Sequence, residues 1–166
     1  MIHVFEEKFR ELVPLLPDLS DGSKVRYEWG TIDVLNKYLT IIDNKSKYPL
    51  IWLVTGKSDG FTQKQKIERK CRFIIATKST DPNELNFFQY QKDFKDNLYV
   101  ILDWFISLLQ KSGITIIDDN EYSHEMMPNF SIQTKDNGIL DIWNAINFEC
   151  DITMLTDRCV NNEIKF

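Results

Sequence analysis

Between Tyr48 and Thr55 the chain is apolar on both sides of its pleat, with Leu50, Trp52 and Val54 alternating with Ile51 and Leu53. A strand without a polar face has to be covered above and below, so this segment is predicted to be a central strand. Pro49 must then stand at its start, because proline cannot donate to a ladder. Ile67 to Thr77 alternates more cleanly: Ile67, Cys71, Phe73 and Ile75 face inward, and Glu68, Lys70, Arg72 and Lys78 outward. The two strands make a hairpin. Its connection, residues 56–66, is polar, basic and longer than usual, and loops of that length are mostly functional or mobile.

The segments that cover such a sheet are also legible. Ile2, Phe5, Phe9, Leu12 and Val13 recur at helical spacing, with Glu6, Glu7, Lys8, Arg10 and Glu11 on the opposite face. Pro14 and Pro17 end this first helix. Lys24 to Ile42 is predicted as strand from the alternation of Val25, Tyr27 and Trp29, although Val34, Leu35, Tyr38 and Leu39 also fit a short helix. Asp81-Pro82 reads as an N-cap and first helical position. Phe94, Leu98, Ile101, Leu102, Phe105, Leu108 and Leu109 form one stripe over about four turns, closed by Lys111 and Gly113. Ile114 to Ile117 starts a strand that enters an acidic stretch, read as an extended segment over 118–137. Ile139 to Met154 is a long closing strand: Leu140, Ile142, Ile146, Phe148, Cys150, Ile152 and Met154 share one face, and Asp141, Trp143, Asn147, Glu149 and Asp151 the other. Asn137-Gly138 signals a hairpin turn that pairs it with a strand near 129–135. The expected fold is one α+β domain over 1–166: a mostly antiparallel sheet of four to six strands packed against an N-terminal helix and a long central helix.

Composition agrees with a folded single domain, since 43% of the 166 residues are apolar and only 6 Gly and 5 Pro occur. The apolar run Leu98 to Leu109 is interrupted by Asp103 and is too short to span a bilayer, so no membrane contact is expected. The amino terminus carries no secretory pattern. Cys71, Cys150 and Cys159 are odd in number and lack close spacing, which fits a reducing, intracellular setting and opposes a disulfide framework.

The net charge of -5 conceals two opposed segments. Residues 45–78 carry nine basic groups against Asp59 and Glu68, and residues 118–157 carry nine acidic groups against Lys135 alone. These are either two solvated faces or complementary surfaces that meet between copies. Lys57, Lys64, Lys66, Arg69, Lys70 and Arg72 are the basic candidates for an interface or a channel; Glu121, Glu125, Glu149 and Asp151 are the acidic ones. Trp143 falls on an otherwise polar strand face, so it is either covered by a second helix or anchors a partner.

Catalytic equipment is sparse. His3 and His124 are the two histidines, one on the polar side of the first helix and one in an acidic loop, and both read as surface residues. Cys71 and Cys150 point inward, where thiols are inert. Asp118, Asp119, Glu121 and Glu125 lack the spacing of a calcium loop. No phosphate-binding or dinucleotide fingerprint exists, and no cofactor is implied. Asp59 with Glu68-Arg69-Lys70 has the Asp and Glu-x-Lys form of a metal-dependent nuclease, which is the enzymatic alternative. A basic loop with a single aromatic, Phe61, in a chain of pI near 5.1 does not make a dedicated nucleic-acid binder. A protein-binding adaptor working through Trp143 and the last strand is the third possibility.

The order of elements carries a further indication. A leading helix, a strand opening Tyr48-Pro49-Leu50-Ile51-Trp52-Leu53, a basic hairpin into Phe73-Ile74-Ile75-Ala76-Thr77, a long helix ending Leu108-Leu109, and a closing strand Ile142-Trp143-Asn144-Ala145-Ile146-Asn147-Phe148 together resemble the bacteriophage tail-terminator and head-tail completion family. The resemblance covers most of the chain as a pattern of elements. It implies a non-enzymatic virion component assembled in the host cytoplasm, forming a ring of six or twelve copies at the head-tail junction. Portal, connector or tail proteins would be its neighbours, and genomic DNA would pass through it. The long 56–66 connection and the extended 118–137 segment depart from the family pattern.

Overall fold

The computed structural model describes residues 4–41, 47–55, 62–63, 66–79, 86–128, 143–155 and 164–166. Helix α1 (Val4–Leu12) leads through a 3-10 turn (Val13–Leu15) to β1 (Arg26–Gly30), α2 (Ile32–Ile41) and β2 (Leu50–Val54). A two-residue β3 (Thr62–Gln63) and the long β4 (Lys66–Lys78) follow. Helix α3 starts as α-helix at Phe87–Gln89, runs in π form through Tyr90–Leu98 and returns to α-helix over Tyr99–Lys111; β5 (Thr115–Met127) and β6 (Trp143–Leu155) complete the chain.

The strands form one mostly antiparallel sheet of order β1-β2-β4-β6-β5, with β3 paired to β4. Only β1 and β2 run parallel, Arg26 facing Leu50 and Gly30 facing Val54. Parallel neighbours need a crossover, and α2 supplies it. The strand expected over 24–42 is therefore confined to Arg26–Gly30, and a helix follows it. Strand stops at Gly30, and from Ile32 the three-and-four spacing of Leu35 and Leu39 wins, because both side chains bury on Trp52. Gly30 marks the switch: its φ is 155°, a Cβ there would meet the Trp52 ring at 3.0 Å, and its carbonyl accepts the Trp52 Nε1 proton at 3.1 Å.

The predicted hairpin is formed by β2 and β4, and β2 is buried on both faces. One face of the sheet is covered by α1 and α3. Phe9, Phe73, Phe105 and Phe148 meet there, with ring centres 4.9–6.2 Å apart and mostly tilted or edge-on, as aromatic quadrupoles prefer. Among the described residues, the other face is covered by α2 alone. Leu35, Leu39, Leu50, Trp52, Ile74, Ala76, Trp143 and Ala145 make that smaller core.

Strand β5 extends well beyond Ile117. It is interrupted by a bulge between Ile117 and Tyr122, then pairs with β6 again from Tyr122 to Met127. The acidic residues up to Glu125 thus lie in a strand, and His124 is on an exposed strand position rather than in a loop. β6 is thus flanked by β4 on one edge and β5 on the other; the expected pairing segment 129–135, the Asn137-Gly138 turn and the Asp81-Pro82 cap lie outside the described residues. Helix α3 is capped by Asn86, whose Oδ1 accepts from the Gln89 backbone at 3.0 Å. At the other end Gly113 has φ 75°, as the predicted C-terminal cap requires.

Candidate functional site

Side chains alternate across β4 and β6, and the register decides which groups meet. Odd-numbered β4 residues point to α1 and α3. Even-numbered ones share the opposite face with the odd-numbered residues of β6. Along that face Ile74 and Ala76 lie under α2, whereas Lys66, Glu68, Lys70 and Arg72 extend past it. Opposite them on β6 are Leu155, Thr153, Asp151 and Glu149 in turn. The basic and acidic segments are thus neighbours within one chain.

Lys70 faces Asp151 and both are exposed. Arg72 faces Glu149; its Nε donates to Asn147 Oδ1 at 2.7 Å and lies 3.9 Å from the Glu149 carboxylate. Glu125 of β5 faces Asn147 on the same side and is exposed. A shallow cavity of about 180 Å³ opens among Lys70, Tyr122, Ser123, Glu149, Cys150 and Asp151. Lys66 is exposed at the start of β4. Lys57, Lys64 and Asp59 lie outside the described residues, and Glu121 is described by its backbone alone, within the bulged part of β5.

Two expected interface residues turn inward. Trp143 is 1% exposed and packs in the core under α2, so the covering helix, not a partner, accounts for an indole on this face. Arg69 points to the opposite face and ion-pairs with Glu6 of α1 at 2.6 Å, its guanidinium 4.7 Å from the centre of the Phe5 ring. Glu6 is itself buried, which corrects its placement on the solvent side of α1. A charge can be carried inside only with a partner, and this pair ties the first helix to β4. No periodicity signals it, because the partners are 63 residues apart. A second buried pair was equally silent: Asn144 donates to Asp93 at 2.8 Å, joining β6 to the π-helical part of α3.

Nucleophilic chemistry finds little purchase on the cysteines. Cys71 and Cys150 stand opposite each other on β4 and β6 as buried free thiols. Burial holds both thiols in the protonated form, pushing Cys150 up to about 12 and Cys71 well above its ordinary value. His124 packs edge-on against Tyr99, ring centres 5.8 Å apart. Glu68 and Lys70 of the nuclease reading share the open face, two positions apart on β4. Among the described residues no three His, Cys, Asp or Glu side chains converge as a metal site, and no helix is long and apolar enough to cross a membrane. Neither a protein-family model nor a curated protein sequence matches the chain.

Proposed function

We propose that this chain is a structural subunit of a bacteriophage head-tail connector, built into the virion as one copy of a ring around the DNA passage. The observation that carries the reading is the sheet's order. Its two terminal strands, β1 and β5, are different surfaces on opposite sides of the same sheet, each with one side unpaired among the described residues. Two unlike sticky edges are what a heterologous, ring-closing contact needs. The sequence of helix, hairpin, long helix and closing hairpin supports the same family resemblance. Portal, connector or tail proteins would stack above and below the ring. Lys66 and Lys70 on the open face are available to a neighbouring layer or to passing DNA.

Imaging and cross-linking of purified particles test this reading. The chain is expected at the junction of head and tail in multiple copies; its absence from particles overturns the proposal. Incubating the purified chain with DNA and magnesium is expected to leave the DNA intact, and cleavage would transfer the assignment to the nuclease alternative.

A further inference from the structure

Strand directions fix how copies of this sheet can be joined. β1 and β2 run one way, β4 returns, β6 runs with β1, and β5 returns again. The two terminal strands are therefore opposed in direction. A second copy related by rotation about an axis along the strands brings its β1 alongside β5 in the antiparallel sense, with the same sheet face outward. Antiparallel pairing is the more stable ladder, and the join can repeat indefinitely or close.

Charge separates this join from the pairing of two β5 edges. β5 carries Asp118, Asp119, Glu121 and Glu125 and no Lys or Arg. Pairing β5 with β5 of another copy sets like charges against each other, which destabilises a sheet. The β1 edge is different. Lys24 and Arg26 are exposed there, and Arg10 of α1 stands beside Glu28 at 3.6 Å. A cavity of about 200 Å³ lies against the strand, lined by Arg10, Pro14, Arg26, Glu28 and Tyr38 among others, so the flank of β1 is not filled by its own helices.

The faces also match. Arg26 and Glu28 stand opposite Leu50 and Trp52, so they belong to the α2 side of the sheet; Glu125 and Ser123 stand opposite Asn147 and Glu149, on that same side. Antiparallel registers that keep the faces in phase differ by steps of two residues. One step places Glu28 opposite Glu125, and the step on the other side carries Glu28 into the bulged part of β5, where the ladder is broken. The register between them sets Arg26 opposite Glu125 and Glu28 opposite Ser123, and brings Trp29 opposite the half-exposed Tyr122.

We infer that copies of this chain assemble head to tail by adding β1 of one subunit to the β5 edge of the next, in the register that pairs Arg26 with Glu125. The inference rests on the assembly reading above and names the surfaces that make the contact. The ladder supplies main-chain hydrogen bonds in the manner of strand addition, and the opposed charges fix the register.

The test is a charge exchange read by native mass spectrometry and sedimentation of the purified full chain. Arg26→Glu and Glu125→Arg are each expected to weaken assembly at least about tenfold, because each sets like charges against one another across every contact. The double variant, which restores an opposite pair at every contact, is expected to regain assembly. Both positions are exposed, so circular dichroism should show unchanged folding. Wild-type assembly that neither single change weakens overturns the edge-to-edge contact and leaves the connector reading standing. Single changes that weaken assembly without recovery in the double variant overturn the register and with it the inference. A wild-type chain that stays monomeric at its highest soluble concentration also overturns it, whereas the connector reading is decided by the particles.

Discussion

Strands β4 and β6 run side by side for thirteen residues each, and one face of that ribbon has two unlike ends. At one end Ile74, Ala76, Trp143 and Ala145 are buried; at the other Lys70 and Asp151 are exposed and Arg72 and Glu149 half exposed. Backbone and pairing are the same at both ends. What differs is that α2 covers only one of them, with Leu35 and Leu39 supplying the apolar lid. Burial along a strand is therefore set by the layer above it, and a charged pair on the open part of a sheet is a surface feature even when its partners are directly opposed.

The covered end should be the costly one to disturb. Trp143→Ala removes a side chain 1% exposed and leaves a cavity beneath α2, with an expected loss of about 3–5 kcal/mol in urea unfolding, against less than about 1 kcal/mol for Glu149→Ala at the open end. Equal losses would erase the distinction between the two ends. Next comes the charged pair on the opposite face. Glu6→Ala removes the carboxylate that the Arg69 guanidinium meets beside Phe5 and should cost about 3 kcal/mol, while Glu6→Leu with Arg69→Met should recover most of it, since an apolar pair avoids the desolvation of both charges. For the same reason, Arg69→Glu should set two carboxylates against each other and loosen α1 from the sheet, so it cannot serve as a clean probe of assembly.

The thiols behind the open end give a pH dependence of defined sign. In the unfolded chain a thiol ionises near about pH 8.5, whereas burial raises Cys150 to about 12 and Cys71 also upward. Above the unfolded value the native state holds more protons than the unfolded one, so stability falls as pH rises. Below it the contribution is complete. The urea midpoint should be level from neutral pH to the unfolded value and decline beyond it, and Cys71→Ala with Cys150→Ala should flatten the decline. A wild-type midpoint that stays level through that range would contradict the burial of these thiols. The smallest effect belongs to the surface pair: a double-mutant cycle on Arg72 and Glu149, 3.9 Å apart and partly exposed, should return less than about 1 kcal/mol and shrink with added salt. A coupling of several kcal/mol would mean that something else covers this end.

Legibility in the sequence followed the range of the interactions involved. The double-sided apolarity of Leu50–Val54, the stripe from Phe94 to Leu109 and the alternation from Ile146 to Met154 each follow from neighbours within a turn or a pleat, and each element is present as read. The pattern of residues 31–41 fits both a strand and a helix period, and the Trp52 ring packed beneath α2 selects the helix. The continuation of β5 through its acidic bulge was likewise hidden, because polar residues make a poor strand until a long partner, β6, offers a ladder.

By itself, the sequence determined an α+β domain with a central strand buried on both faces, an N-terminal helix and a long central one, because local periodicity dictates which faces must leave water. It also determined that opposite charges are concentrated in different stretches of the chain. Only the tertiary structure decided that Arg69 goes inward to Glu6, that Trp143 lies under α2, and that Lys70 and Arg72 stand across from Asp151 and Glu149. Those outcomes depend on strand order and register, which join residues tens of positions apart and leave no trace in local spacing.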